Sequence, residues 1–195
     1  GTVVVGIGYT TAGVAAQSFR WTPISGLQWL GKLQGGSNEP RGLSADGNVI
    51  VGFGHPANNV MRTPRPFRWT MDTGMVLIAA PPGFSLAFGV LADGTMTCGE
   101  AVLANGNNEA VVWDAADTMT ALGTLGGGTF STAHLISGDG RKVFGVAPNA
   151  QFETRLFRWT ASAGMVDIGS IIPGGGPHEN ATTTNGNRLV GSFSD

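Results

Sequence analysis

The tetrapeptide Phe67-Arg68-Trp69-Thr70 indicates the fold of this chain, because related tetrapeptides occur at three other places in the sequence. The other copies are Phe19-Arg20-Trp21-Thr22, Val111-Val112-Trp113-Asp114 and Phe157-Arg158-Trp159-Thr160. In chain order, the tryptophans of the four copies are 48, 44 and 46 residues apart. A period of this size is typical of repeat proteins, in which one supersecondary unit recurs and buries its apolar face against its neighbours.

A second repeated signal is a residue pair that favours a tight hairpin turn. It occurs at Asp46-Gly47, Asp93-Gly94, Asp139-Gly140 and Asn185-Gly186. Asp-Gly or Asn-Gly between two apolar runs is the strongest short-range hairpin signal. The run after each turn is closed by glycine, as in Val49-Ile50-Val51-Gly52. We therefore predict two antiparallel strands around each turn, the second of them buried on both faces.

Two further strands are predicted in each unit. In the tetrapeptide, Phe and Trp alternate with Arg and Thr and so point to opposite faces of a strand. A fourth apolar segment begins six residues after each tryptophan and ends in sequence rich in Gly and Pro. No segment has a helical period. The sequence thus predicts an all-β chain, a β-propeller of four-stranded antiparallel blades with about four repeats of about 46 residues.

The repeat boundaries predict one domain over residues 1–195. The copies are 1–36, 37–83, 84–128, 129–176 and a partial fifth copy, 177–195. Since Gly1 aligns with Gly47, the chain starts halfway through a hairpin, and it stops after a fifth copy of the second strand. In a closed ring, segment 179–183 would pair with segment 3–7. We expect instead four periods of a longer propeller or array, whose terminal strands pair with another chain, another copy or flanking sequence.

Composition excludes several classes of protein. Eleven Lys and Arg against 13 Asp and Glu give a net charge of −2, so there is no basic surface for nucleic acid or an anionic membrane. Cys98 is the one cysteine, which excludes an internal disulfide framework. No apolar run approaches the roughly 18 residues that span a bilayer. Glycine is abundant, with 32 of 195 residues, and charged residues are only 12%, so the surface must be largely Ser, Thr, Asn and Gly.

The repeated residues resemble the bacterial extracellular HAF repeat. The pattern runs from an aliphatic-Ser-any-Asp-Gly turn through an apolar run and glycine to Phe-Arg-Trp-Thr, Gly-Met and Gly-Gly-Gly. It is carried best by 135–145 with 157–169, and by 43–52 with 67–75. The copy around Trp113 lacks the Phe, Arg and Thr of the motif. The resemblance implies a secreted or cell-surface bacterial protein and no particular chemistry.

Loop-length variation indicates a candidate ligand-binding surface. The distance along the chain from the glycine that closes the second strand to the tryptophan is 15, 17, 14 and 14 residues in the four copies. The longest copy contains His55, Arg62 and Arg65, and loops on a rigid β-scaffold are where binding residues concentrate. Trp29 is a further candidate, because with Tyr9 it lies outside the repeated core positions, and glycan binding usually needs exposed aromatic rings.

Other repeated polar residues have structural interpretations. Asp46, Asp93 and Asp139 are predicted to serve the hairpin turns rather than to bind calcium, which needs several carboxylates close together. For Arg20, Arg68 and Arg158 we favour stems that cover aromatic rings and heads that pair with a carboxylate or carbonyl, over a ring of ligand-binding arginines.

Single His and Cys residues carry no repeated site. His134 aligns with Arg41, Phe88 and Asn180, which indicates a tolerant, exposed position. Cys98 aligns with valine and phenylalanine and is predicted to fill a core position. No Ser-His-Asp set, paired carboxylates or metal-ligand cluster stands out, so the sequence predicts no catalytic residue, metal site or cofactor.

Two functions remain open from the sequence. The first is a non-catalytic binding or structural module on the cell surface or in the extracellular matrix. Its partners would be other copies, another surface protein bound through strand edges, or a glycan. The second is a secreted enzyme that acts on polysaccharide, with its active centre at the mouth of the propeller.

The four tryptophans are the predicted packing anchors of the repeats. Trp21, Trp69, Trp113 and Trp159 hold the same phase of their units, so we expect equivalent burial between neighbouring sheets.

Overall fold

The computed structural model describes residues 2–9, 16–56, 63–126, 128–169, 176–182 and 186–194. These residues form seventeen β-strands in five antiparallel sheets. The first sheet contains β1 (Val4–Tyr9), β2 (Ala16–Thr22) and β3 (Gly26–Trp29). The second contains β4 (Ser37–Leu43), β5 (Val49–His55), β6 (Arg65–Thr70) and β7 (Gly74–Leu77). The third contains β8 (Ser85–Val90), β9 (Thr97–Val102), β10 (Asn108–Trp113) and β11 (Met119–Gly123).

The remaining strands belong to two further sheets. The fourth sheet contains β12 (Thr132–Ile136), β13 (Val143–Pro148), β14 (Thr154–Thr160) and β15 (Gly164–Gly169). The fifth contains β16 (Gly176–Thr182) and β17 (Leu189–Ser194). A short 3-10 turn, Leu33–Gly35, links the first and second sheets. The predicted β-propeller of four-stranded antiparallel blades is confirmed, with the strands of each blade paired in chain order.

We call β4, β8, β12 and β16, the first strands of the second to fifth sheets, the inner strands. β8 contacts both β4 and β12, and β12 contacts β16. Each of these four strands has a β-bulge at the same point of the repeat, where one extra residue opposes the second strand. The extra residues are Arg41, Phe88, His134 and Asn180.

Glycine closes the second strand for a steric reason. A Cβ atom at Gly52, Gly99 or Gly145 would collide with a backbone carbonyl of the first strand, that of Glu39, Leu86 or Thr132 respectively. On the other side, Gly52 and Gly145 are paired with Phe67 and Phe157 of the third strand. The repeated glycine therefore lets three strands approach closely without a side chain between them.

The core lies between successive sheets. Trp69 and Phe67 pack with Leu30 and Leu33, which follow the first sheet, and Trp113 packs with Val51 and Ile78 of the preceding unit. Each tryptophan thus faces the sheet before its own.

This arrangement corrects the prediction of equal tryptophan burial. Trp69 and Trp113 are 4% and 0% exposed, and Trp159 is partly buried against the apolar cluster between the third and fourth sheets. Trp21 is 41% exposed. The reason is that Trp21 belongs to the first sheet, and no sheet precedes that one in the described residues.

The two terminal sheets differ from the other three in strand number. In the described part of the chain, β1 pairs with β2 alone, and β16 pairs with β17 rather than with β1. The pairing that a closed ring would require between 179–183 and 3–7 is therefore not formed among these strands. No helix within the described ranges is long and apolar enough to cross a membrane.

Candidate functional site

One face of the first sheet is apolar and exposed. The strand register pairs Val4 with Trp21, Trp21 with Leu27, and Phe19 with Trp29, which places all five side chains on one face. Val4 is 50% exposed, Leu27 51%, and Trp21 and Trp29 41% each. We call this set, Val4, Phe19, Trp21, Leu27 and Trp29, the leading face. Clustered apolar exposure of this kind on a folded protein marks an interaction surface.

The equivalent face of the second sheet is an interior surface. Ile50 and Phe67 are fully buried, and Trp69 is 4% exposed. Met75 and Leu77, which hold the positions of Leu27 and Trp29, pack against the same cluster. The leading face therefore has the composition of a contact between sheets, but no sheet covers it among the described residues.

Trp29 is positioned by its neighbours in the first sheet. Its ring meets the ring of Phe19 edge to face, with centroids 6.3 Å apart and planes at 87°. It also lies over Gly8, where an added Cβ would be 2.7 Å from the indole. Trp29 was predicted as a ligand contact, and the structure places it beside Trp21 on the leading face.

The predicted contact surface in the long loop is only partly described. His55 ends β5 opposite Ser37 and is half-buried. Arg65 opens β6, and its Nη2 donates a hydrogen bond to the carbonyl of Ala80 at 3.0 Å. Arg62 lies outside the described residues. Within the described ranges no hydrogen bond or ion pair joins His55, Arg65 and Trp29, and their role in ligand binding stays a prediction.

The repeated arginines link neighbouring sheets. Arg20 Nε donates to the carbonyl of Gly47 at 3.0 Å, and Arg68 Nη1 donates to the carbonyl of Gly94 at 2.7 Å. Both acceptors are in the Asp-Gly turn of the next sheet. Arg68 also forms an ion pair with Asp117 at 3.1 Å. The prediction that the arginine heads pair with carbonyls or carboxylates is thus confirmed for Arg20 and Arg68.

A hydrogen bond also crosses between sheets from a tryptophan. Trp113 Nε1 donates to the carbonyl of Ala79 at 2.8 Å, in the connection that follows β7. A covered tryptophan of this repeat is therefore anchored through both its ring and its N–H.

Sequence reasoning missed Val4 and Leu27 as members of the leading face. Both occupy repeat positions that are buried or half-buried in the second sheet, Ile50 and Met75. Both are apolar residues of the kind found in a core. Only their position in the first sheet distinguishes them from Ile50 and Met75.

The turn aspartates accept hydrogen bonds within their own turns. Asp46 accepts from the Ser44 hydroxyl at 2.6 Å and from the Asn48 N–H at 3.0 Å. Asp139 does the same with Ser137 and Arg141. These bonds favour the ionised form, so the Ser44 hydroxyl lowers the pKa of Asp46 and the Ser137 hydroxyl lowers the pKa of Asp139. The predicted turn role is confirmed.

These turns make stability sensitive to acid. A carboxyl whose pKa is lower in the folded state contributes stability above its unfolded pKa of about 3.9, and that contribution is lost as pH falls through the folded pKa. For Asp46 and Asp139 the loss is therefore expected below about pH 4. Asp139→Asn keeps an acceptor oxygen but removes the titration, so its stability should depend less on pH in this range.

Urea unfolding at a series of pH values between neutrality and strong acid would measure the effect. Asp72→Asn is the matched control, because Asp72 is an exposed turn residue that accepts no hydrogen bond in the described residues. An Asp139→Asn profile as steep as that of the control would contradict the role of the turn.

Metal-ligating side chains are dispersed. Within the described ranges, no three His, Cys, Asp or Glu side chains come together as a metal site. Cys98 is fully buried in the cluster between the third and fourth sheets, as its repeat position predicted.

Comparison with known proteins bears on the fold. No protein-family model matches the sequence, and no curated protein matches it. Among solved structures, TolB from Acinetobacter baumannii is similar over 98% of this chain and 48% of its own, with a TM-score of 0.67 and 14% identity. Hydrazine synthase from Kuenenia stuttgartiensis covers 99% of this chain and 34% of its own, with a TM-score of 0.64 and 14% identity.

A third similar structure is the β-propeller domain of the Trilobed protease from Pyrococcus furiosus, which is described as having an open velcro topology. The similarity covers 100% of this chain and 76% of that one, with a TM-score of 0.51 and 9% identity. At these identities the similarity establishes the β-propeller fold alone. The chain spans half or less of the length of the TolB and hydrazine synthase chains.

Proposed function

We propose that this chain is a non-catalytic binding module that assembles with a second copy of itself through the leading face. The observation that supports this most directly is the exposure of Trp21 at 41%, against 4% and 0% for Trp69 and Trp113 at the same repeat position. Burial of large aromatic side chains is a dominant source of binding energy in protein interfaces.

The occupant follows from the interfaces inside the chain. Each covered face packs against the sheet that precedes it, as Trp113 does against Val51 and Ile78. The surface that fits the leading face is therefore the opposite face of another blade of this repeat. Another copy of this chain would supply such a blade. Such a head-to-tail contact would continue the series of sheet-to-sheet contacts from one copy to the next.

A contact of this kind is heterologous, because two different surfaces meet. Heterologous contacts that do not close into a ring propagate from copy to copy. The expected state is thus a concentration-dependent series of oligomers rather than one fixed dimer. The resemblance to the bacterial extracellular HAF repeat supports placing this module outside the cell or on its surface, where assembly would serve a structural or matrix role.

Size-exclusion chromatography with light scattering tests the proposal. We expect a mass that exceeds the 20.0 kDa of one chain and rises with concentration. The double variant Trp21→Ser, Leu27→Ser should return the mass to that of one chain. Ile24→Ser is the matched control, because Ile24 is 97% exposed in the turn between β2 and β3 and lies off the leading face.

Two results would count against this function. One is a mass of 20.0 kDa at every concentration, and the other is an equal loss of assembly in the Ile24→Ser control. Circular dichroism of each variant would establish that the β-sheet content is retained.

A further inference from the structure

The β-bulges of the inner strands bring a row of chemically different side chains together. Arg41, Phe88 and His134 are the extra residues of β4, β8 and β12. The backbone feature is the same in each strand, whereas the side chain changes from a cation to an aromatic ring and then to an imidazole. Bulges re-aim side chains and are frequent beside binding sites.

The row is continuous across three sheets. The guanidinium carbon of Arg41 lies 5.1 Å from the ring centroid of Phe53 in β5. Phe53 meets Phe88 edge to face at 6.4 Å, and Phe88 meets His134 edge to face at 5.2 Å. These distances are those of favourable cation–π and aromatic pairs, so the side chains support one another in a defined order.

Glycines beside the bulges allow the inner strands to approach each other here. A Cβ atom at Gly42 would lie 3.1 Å from the carbonyl oxygen of Phe88, and one at Gly89 would lie 2.5 Å from that of His134. The neighbouring strands are therefore nearly in backbone contact at the row. Close approach fixes the positions of Arg41, Phe88 and His134 relative to one another.

Arg41 retains donors for a ligand. Its Nη2 donates to Glu39 Oε2 at 2.9 Å, and its side chain is 46% exposed. This is the one hydrogen bond that the Arg41 side chain makes in the described residues. A guanidinium carries five N–H donors in a planar fork, which matches a carboxylate in a two-bond geometry.

We propose that this row binds a carboxylate that is joined to an aromatic ring. The carboxylate would accept two hydrogen bonds from Arg41, and the ring would pack on Phe53 and Phe88. This proposal is independent of assembly through the leading face, because it uses other residues and another part of the fold.

The neighbouring Glu39 selects the charge of the ligand. Its carboxylate already pairs with Arg41, with a side chain 38% exposed, and it repels further negative charge. A monoanionic carboxylate is therefore favoured over a phosphate, which carries close to two charges at neutral pH. The same argument predicts that removal of the Glu39 charge strengthens binding.

Isothermal titration calorimetry with benzoate as the probe tests the site. We expect saturable binding of benzoate and none of benzyl alcohol, which has the ring but no carboxylate. Arg41→Met should weaken binding at least about tenfold, the loss expected for a charge-assisted hydrogen bond. Phe88→Leu should also weaken it, because an aromatic pair is lost.

Two further variants separate a binding role from a structural one. Glu39→Gln should tighten benzoate binding, which a change that only perturbed the fold would not do. Arg155→Met is the matched control, because Arg155 also pairs with carboxylates, Asp167 and Glu153, but lies in the fourth sheet away from the row. Its affinity for benzoate should equal that of the parent chain.

The proposal is overturned if benzoate shows no saturable binding at millimolar concentration, or if benzyl alcohol binds equally well. It is also overturned if Arg155→Met loses as much affinity as Arg41→Met, or if Glu39→Gln leaves the affinity unchanged or weaker.

Discussion

Replacement of Trp113 by alanine is expected to lower the free energy of unfolding by about 3–5 kcal/mol, the usual cost of deleting a large buried aromatic ring. Trp113 is fully buried, packs against Val51 and Ile78, and donates a hydrogen bond to the carbonyl of Ala79 at 2.8 Å. The substitution leaves a cavity between two sheets and an acceptor without its donor. Urea unfolding followed by circular dichroism would give the free energy.

Trp21→Ala is the control for this prediction. It makes the same chemical change at the same repeat position, but Trp21 is 41% exposed. At dilutions where the chain is monomeric, we expect less than half of the loss seen at Trp113. Equal losses at the two positions would show that the burial difference between them does not set their contribution to stability.

Gly99→Ala is expected to cost roughly 3 kcal/mol, the upper end of the range for over-packing. The new methyl group would collide with the carbonyl of Leu86 and lie 3.0 Å from the Cα of Ala87. Both are backbone atoms of β8, which pairs with β9 on both sides of the bulge at Phe88. Because neither strand is free to move aside, the collision is relieved only by disrupting the ladder.

Gly6→Ala is the corresponding control in the first sheet. There the three atoms nearest to the added Cβ all belong to the ring of Phe19, the first at 2.8 Å, and that ring is part of the exposed leading face. A side chain at a surface adjusts more easily than a paired strand, so we expect roughly 1 kcal/mol. In thermal or urea unfolding, Gly99→Ala should be clearly less stable than Gly6→Ala. The reverse order of stability would refute the role given to the Leu86 carbonyl of β8.

Much of the fold was predictable because its signals are local. The Asp-Gly turns gave the hairpins, and the alternation in Phe67-Arg68-Trp69-Thr70 gave the two faces of the third strand. The structure places Phe67 and Trp69 toward the preceding sheet, while Arg68 reaches Gly94 in the next one. These features depend on neighbours in sequence and on the two-residue period of a strand, so they are read without tertiary information.

The inner-strand row was not predictable in the same way. The sequence aligned Arg41, Phe88 and His134 but indicated a tolerant, exposed position. Their ring contacts depend on bulges and on the close approach of strands about 46 residues apart in the chain, which no local pattern reports.

The leading face shows which properties follow from local sequence and which require two facing sheets. Local sequence was enough to predict the repeat, the strand order within each blade and the positions of the repeated tryptophans. It predicted equal burial for Trp21 and Trp113, because the two residues hold the same phase of the repeat. Burial, however, is a property of two facing sheets, and a sheet precedes Trp113 but none precedes Trp21 in the described residues. The tertiary arrangement therefore placed the tryptophan of one copy of the repeat in the core and that of another at the surface.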